Sequence, residues 1–593
     1  MKKVLALVLC LVTLLTTLAS CGGIAVDAED KGDIINLYLT SDIYAFDPGK
    51  DVTDVATVKI LGLLFEGLYR LDGKGNVVNA LAEKTEIIEN EAKGEYKMNI
   101  TLKKTKWSDG RALTADDFVF AWKRIMECTY QSTAAALLYD VKNARTVKAG
   151  NASIDDLGVV ALDTYLLEIT FEQKIDYENF KKNLASLSLV PLREESVAGN
   201  ERYWSRRHAT LACNGPFVIK ELDRGDNTMR IERNNYYYRD TDEDSLDRYV
   251  KPYRLMVTFI KEDSKPQGQR TAVDDLDALY AAYNADEIQY LGDIPLADRA
   301  QVKNKAHLSD AGSTYAYLLN TNNKLLADAR VRRALSLALD RKAIADLLVY
   351  ADPATGLVAK TVFNATKGKT FRAAHGDVLD TGADVEAAKA LLKDAGVKSG
   401  SLTLSYRARQ ADTAVAEYVK GVWESLGLKV KLAPLTTIRE KTVENSEDVE
   451  YFIDSVQEAY ETGDFDVLAL DISMLSTDPF APLAVYATEF SGSGIDMSDE
   501  NYPALTHPTG FSDAGYDEII ERAFAEKNIA KRSDILFEAE TYLMEQMPVI
   551  PLVFNKNYYL ASGKLKNISQ SYLGYLLLNN LHYSGYKYVP EEK

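Results

Sequence analysis

The chain has 593 residues, 46% of them hydrophobic, and carries 88 acidic against 69 basic side chains, a formal charge of -19. Such an acidic balance argues against nucleic acid as a partner, because phosphate binding needs a basic face. The length exceeds what one hydrophobic core supports and predicts about two to four domains.

Residues 1–20 open with Lys2 and Lys3, run through an apolar stretch from Val4 to Leu15 broken only by Thr13, and end in Leu18-Ala19-Ser20 ahead of Cys21. This is the three-part layout of a secretory signal, with an apolar core shorter than the roughly 20 residues a spanning helix needs. The tetrapeptide Leu18-Ala19-Ser20-Cys21 resembles the bacterial lipobox, which implies cleavage before Cys21 and a diacylglyceryl group on its thiol. Two acyl chains give stable attachment. The expectation is an extracytoplasmic, lipid-anchored globule behind a tether over residues 21–33, touching the membrane only through Cys21.

Residues 35–40 alternate as a strand, ended by the turn Asp47-Pro48-Gly49. A helix is predicted from Thr53 to Tyr69, with Val55, Val58, Leu61, Leu64, Phe65 and Leu68 at helical spacing. Residues 95–106 read as a strand and Trp107-Ser108-Asp109-Gly110 as a turn. Thr114 then sits at an N-cap position, with Asp116 and Asp117 placed against the dipole of the following helix. Further on, Tyr315–Asn320 reads as a strand and Asp328–Val349 as one helix. Ser401–Tyr406, Ala411–Leu426 and Leu428–Leu432 form a strand, helix, strand unit. Residues 438–462 are acidic and helix-prone, Phe465–Leu470 is an apolar strand, and Tyr516–Met547 reads as a helix. Pro548 and Pro551 suggest that the strand Val549–Phe554 lies at an edge or a bend.

After loss of Cys10 and acylation of Cys21, Cys128 and Cys213 remain, allowing one disulfide at most or two unpaired core cysteines. The five histidines show no metal-ligand spacing, and no metal or other cofactor is expected. A secreted hydrolase is the rival class, but the chain has no GxSxG elbow, no HExxH and no cysteine-histidine signature. The pairs Asp116-Asp117 and Asp155-Asp156 fit caps and solvated turns better than an acid and a base. The expectation is that the protein is not an enzyme.

An ordered set of segments carries a more specific resemblance. It comprises Leu64-Phe65-Glu66-Gly67-Leu68-Tyr69, Trp107-Ser108-Asp109-Gly110, Leu113-Thr114-Ala115-Asp116-Asp117, Asn214-Gly215-Pro216-Phe217, the run from Val331 to Arg341, Gly463-Asp464-Phe465-Asp466-Val467 and Asp478-Pro479. In this order they resemble the family 5 extracellular solute-binding proteins, the oligopeptide- and dipeptide-binding lipoproteins of ABC importers. The resemblance implies an α/β, two-lobed periplasmic-binding-protein-like fold of type II, cluster C, with a small α+β domain inserted in the first lobe. The implied layout is signal peptide 1–20, lipidated tether 21–33, lobe I in 34–60, 205–312 and 549–593, inserted domain 61–204 and lobe II 313–548. It implies a monomer that takes a small solute, by preference a peptide, and partners ABC permease subunits. A non-peptide solute or a sensing role is the alternative on the same fold.

Peptide-binding members pair an extended ligand with strand-like segments of both lobes, a mode that grips backbone. The matching positions here are Val52, Thr53 and Asp54 in the first lobe and Asp471, Ile472 and Ser473 in the second. Those relatives place an ammonium-binding aspartate three residues before an acidic-Pro pair, and a tryptophan three residues earlier. Counting back from Asp478-Pro479 gives Leu475 and Ile472, so neither matches. A buried ammonium needs an anion, and Asp471 and Asp478 are the nearest candidates.

Overall fold

The computed structural model describes residues 31–39, 43, 45–51, 54–224, 226–237, 250–259, 273–292, 294–362, 369–444, 447–492 and 507–587; Cys21, Val52 and Thr53 lie outside them. Short runs with alternating buried side chains pair into one mixed sheet of eleven strands. These are β1 (Ile34–Leu39), β2 (Phe217–Asp223), β3 (Thr228–Arg233), β4 (Arg254–Phe259), β5 (Tyr290–Gly292), β6 (His307–Leu319), β7 (Ala351–Pro353), β8 (Ser401–Arg407), β9 (Lys429–Leu435), β10 (Val467–Ser473) and β11 (Val549–Ala561). Their order is β2-β3-β4-β1-β5-β11-β6-β10-β8-β9, with β7 paired to β11 off this path. The strand, helix, strand unit is present: the helix Gln410–Ser425 joins parallel β8 and β9.

Two strands of 13 residues, β6 and β11, carry the sheet from one half to the other. His307–Asp310 pair with Lys556–Tyr559, and Thr314–Leu318 pair with Val549–Phe554. Between these ladders Ala311, Gly312 and Ser313 oppose Asn555 alone, a bulge that bends the ribbon where the halves part. The C-terminal segment covers it: a Cβ on Gly312 would lie 2.1 Å from the Leu573 carbonyl oxygen, so only glycine fits.

Between β1 and β2 the chain builds a separate four-stranded antiparallel sheet from Ala82–Asn90, Glu95–Leu102, Leu166–Phe171 and Val159–Asp163. The helix Ala115–Met126 buries Phe118, Ala121, Trp122, Ile125 and Met126 against it. Asp117 of its first turn accepts the Thr114 amide at 2.7 Å and the Trp107 indole N–H at 3.2 Å. Burial pushes its carboxyl up to about 6. At the other end, buried Lys148 donates to the Ile125 and Glu127 carbonyls at 2.9 and 3.0 Å, satisfying groups a helix terminus leaves open.

Several expected boundaries move. The first helix runs only Val55–Leu64, because Asn214-Gly215 docks on its end. Gly215 N–H donates to the Leu64 carbonyl at 2.8 Å, and the Asn214 amide group bonds both the N–H and the carbonyl of Glu66. A Cβ on Gly215 would stand 2.5 Å from the Leu64 carbonyl carbon. The helix expected over 328–349 is two, Ala329–Leu337 and Arg341–Leu348, the second capped by Asp340. Tyr516–Met547 is likewise two helices, Ala514–Ala525 and Ile529–Gln546, with Asn528 capping the second. Thr437–Glu444 pairs antiparallel with Glu447–Asp454 as a hairpin, and a helix follows only at Ser455–Thr462. Over Val549–Leu552, β11 pairs with β6 on one side only, β7 joining at Val553–Asn555 and β5 at Tyr559–Ala561, and Pro551 sits where the register with β6 shifts, as an edge or a bend requires. Cys128 and Cys213 are unpaired.

Candidate ligand cleft

The turn after β1 is locked before it reaches the cleft. Asp47 accepts the Gly49 amide at 3.0 Å and both Arg124 guanidinium nitrogens at 3.1 and 2.6 Å. Burial alone would raise the Asp47 carboxyl, but the Arg124 guanidinium holds it below its ordinary value. Ser132 adds a bond to the Gly49 carbonyl at 2.7 Å. This places Asp51 against Thr133, whose amide and hydroxyl donate to it at 2.8 and 2.6 Å, and against the Tyr460 hydroxyl at 3.1 Å. Asp51 thereby ties the segment after β1 to Thr133, between β1 and β2, and to Tyr460, ahead of β10, and burial raises its pKa.

Beside it, Arg409, just past β8, pairs with Asp54 across the junction. Lys50 and Glu461 make a second bridge at 3.1 Å. Tyr315 on β6 donates to Asp412 at 2.8 Å, and Arg407 pairs with Asp454. Asp471, opposite Tyr315 in the ladder, accepts from Asn555 at 2.7 Å. Burial first, and then the neighbouring Asp54 charge, push Asp471 up to about 7. Both arginines are committed to carboxylates, whereas the described hydrogen bond to Asp471 comes from the Asn555 amide group, and its carboxyl exchanges a proton near neutral pH.

A cavity of ~60 Å³ lies where these parts converge, bordered by Asp51, Thr133, Tyr460 and the end of β10. Its remaining wall is apolar, with Leu470, Ile472, Leu475, Pro482 and Val485, and is closed by Tyr486 and His507. Burial drives His507 down to about 3, so it presents a neutral ring. Along β10, β8 pairs only with Val467 and Leu468, so among the described residues Ala469–Ser473 keep one strand edge unpaired beside the cavity.

Of the residues singled out from sequence, Asp471, Ile472, Ser473 and Leu475 all border this cavity, and Asp54 lies beside it through Arg409. Asp478 does not border it: its carboxylate receives Arg532 at 2.5 Å, Asn179 at 2.8 Å and the Phe480 amide at 2.9 Å. Val52, Thr53 and the lipidation candidate Cys21 fall outside the described residues. Sequence reasoning passed over Asp51, Arg407, Arg409, Asp412 and Tyr460. Arg407 and Arg409 carried a usable signal, since they end a parallel strand ahead of a helix, where α/β clefts form.

The family model of the bacterial extracellular solute-binding proteins, family 5 Middle, matches residues 76–494, and the chain belongs to that family. It is similar to the oligopeptide-binding protein OppA of Bacillus subtilis (strain 168), 24% identical over 98% of this chain and 100% of that protein. The probable deoxycholate-binding periplasmic protein YgiS of Escherichia coli (strain K12) is 29% identical over 88% of this chain and 86% of its own. Among solved structures, peptide-bound OppA of Listeria monocytogenes superposes with a TM-score of 0.74 at 22% identity, covering 94% of this chain and 100% of that one.

Proposed function

We propose that this protein captures an oligopeptide-like solute between two lobes and delivers it to an ABC permease, performing no catalysis. The carrying observation is the unpaired edge of Ala469–Ser473, set beside a cavity that three parts of the chain share. An extended peptide satisfies such an edge by main-chain bonding, which gives affinity without reading side chains. Asp471 is then the acceptor for a ligand ammonium, taking the role that Leu475 cannot fill. In this reading lobe I and its inserted domain move against lobe II, with β6 and β11 as the hinge on which the lobes close. Cys21 carries the lipid that holds the protein outside the membrane.

Calorimetric titration with a mixture of tri- to pentapeptides should give saturable binding with no cleavage; absence of heat, or release of cut peptide, would sink this reading. A second reading keeps the fold and replaces the peptide with an apolar solute bearing few polar groups. The wall of Leu470, Ile472, Leu475, Pro482 and Val485 favours it, as does the similarity to a protein named for deoxycholate. Saturable binding of a bile acid that peptides do not displace would select that alternative.

A further inference from the structure

The hairpin Thr437–Glu444/Glu447–Asp454 pairs with no strand of the main sheet, yet Tyr451 and Ile453 on it are buried. It follows β9 and lies against residues 202–206, at the end of the chain inserted between β1 and β2. Tyr451 stacks on Tyr203 with ring centroids 4.2 Å apart. The Tyr203 hydroxyl donates to Glu440 at 2.7 Å, and Arg202 donates to the other Glu440 oxygen at 2.9 Å. Arg202 also reaches Glu458 at 3.4 Å, and Arg206 donates to the Phe452 carbonyl at 3.2 Å. None of these residues borders the cavity.

We propose that this hairpin is a latch that favours the closed arrangement of the lobes without touching the ligand. The inference rests on hinge closure as the working motion. The hairpin follows β9 and its seat lies between β1 and β2, on opposite sides of the β6–β11 ribbon in the sheet, so rotation about that ribbon separates Tyr451 from Tyr203 and Glu440 from Arg202 together. A stack and a charge-assisted pair lost at once shift a two-state equilibrium by about tenfold. The latch therefore adds to the closed population of ligand-free protein, alongside bridges such as Arg409–Asp54 and Lys50–Glu461, independently of which solute the cleft accepts.

The test is small-angle scattering of the full ligand-free protein, compared among wild type, Tyr451→Ala, Glu440→Arg, Arg202→Glu and the double exchange Arg202→Glu/Glu440→Arg. The wild type should be compact, each single variant should expand, and the double exchange should recover compaction. Circular dichroism melts report folding, and Tyr203→Leu replaces any variant that fails to fold, attacking the same stack from the opposite side. Variants that scatter like the wild type, a double exchange that does not recover, or a wild type already fully open would each overturn the latch. The peptide titration is a separate readout: binding with no latch effect defeats this inference alone, and a latch effect with no binding defeats the proposed function alone.

Discussion

Asp471 concentrates the chemistry of the cleft, since burial and the neighbouring Asp54 charge hold its carboxyl near 7, well above the ordinary carboxylate value. Between about pH 4 and pH 7 the folded protein therefore keeps a proton that the unfolded chain releases. The stability this gives is present at the acid end and is lost as pH rises through 7. Ammonium capture runs the other way, because it needs the charged carboxylate. Affinity for a peptide of fixed positive charge should rise from pH 5.5 to about 7 and level off above, and Asp471→Asn should weaken binding and flatten that profile. Calorimetry across this range is the check, and an unchanged slope in the variant would remove Asp471 from the site. Asp471, Ile472, Ser473 and Leu475 were picked out by the family resemblance, and they border one cavity because β10 ends there and the chain turns at its edge. The commitment of Asp478 was not legible in the sequence, since Arg532 and Asn179 come from distant chain and only folding brings them to it.

At the scale of elements, local signals survived wherever the deciding contact was local. Thr114 and Asp117 start the helix Ala115–Met126 as their spacing dictates. The hairpin of Thr437–Glu444 on Glu447–Asp454 was hidden because its glutamates favour a helix in isolation, and the contacts that override them, Tyr203 on Tyr451 and Arg202 on Glu440, come from more than two hundred residues away. The helix Ile529–Gln546 shows the same dependence on distant partners. Its Glu540 is fully buried and accepts the Leu357 and Val358 amides at 2.8 and 2.9 Å, as well as the Arg372 guanidinium. Glu540→Ala strands a buried arginine and two amides, and should cost about 3–5 kcal/mol. Denaturant unfolding checks this, and a loss under about 1 kcal/mol would mean that water or rearrangement replaces the carboxylate.

For the whole molecule, the eleven-stranded sheet resolves what a linear reading of domains leaves open. β6 and β11 each serve both halves, so neither half is complete without strands shared with the other. The bulge at Ala311–Ser313 gives that shared ribbon a place to bend, and the cavity lies where the halves face one another. Family-like segments in family-like order made the architecture legible; the split of two long helices turned on the caps Asp340 and Asn528, which a reading of apolar periodicity passes over. Under the proposed function the cleft holds a peptide intact. Native mass spectrometry of the protein isolated from its own host, followed by fragmentation of the released solute, tests it most directly. The prediction is one bound solute per chain whose fragments follow an amide backbone and whose mass does not change on prolonged incubation with the protein; a solute lacking amide fragments, or a peptide shortened during incubation, would contradict it.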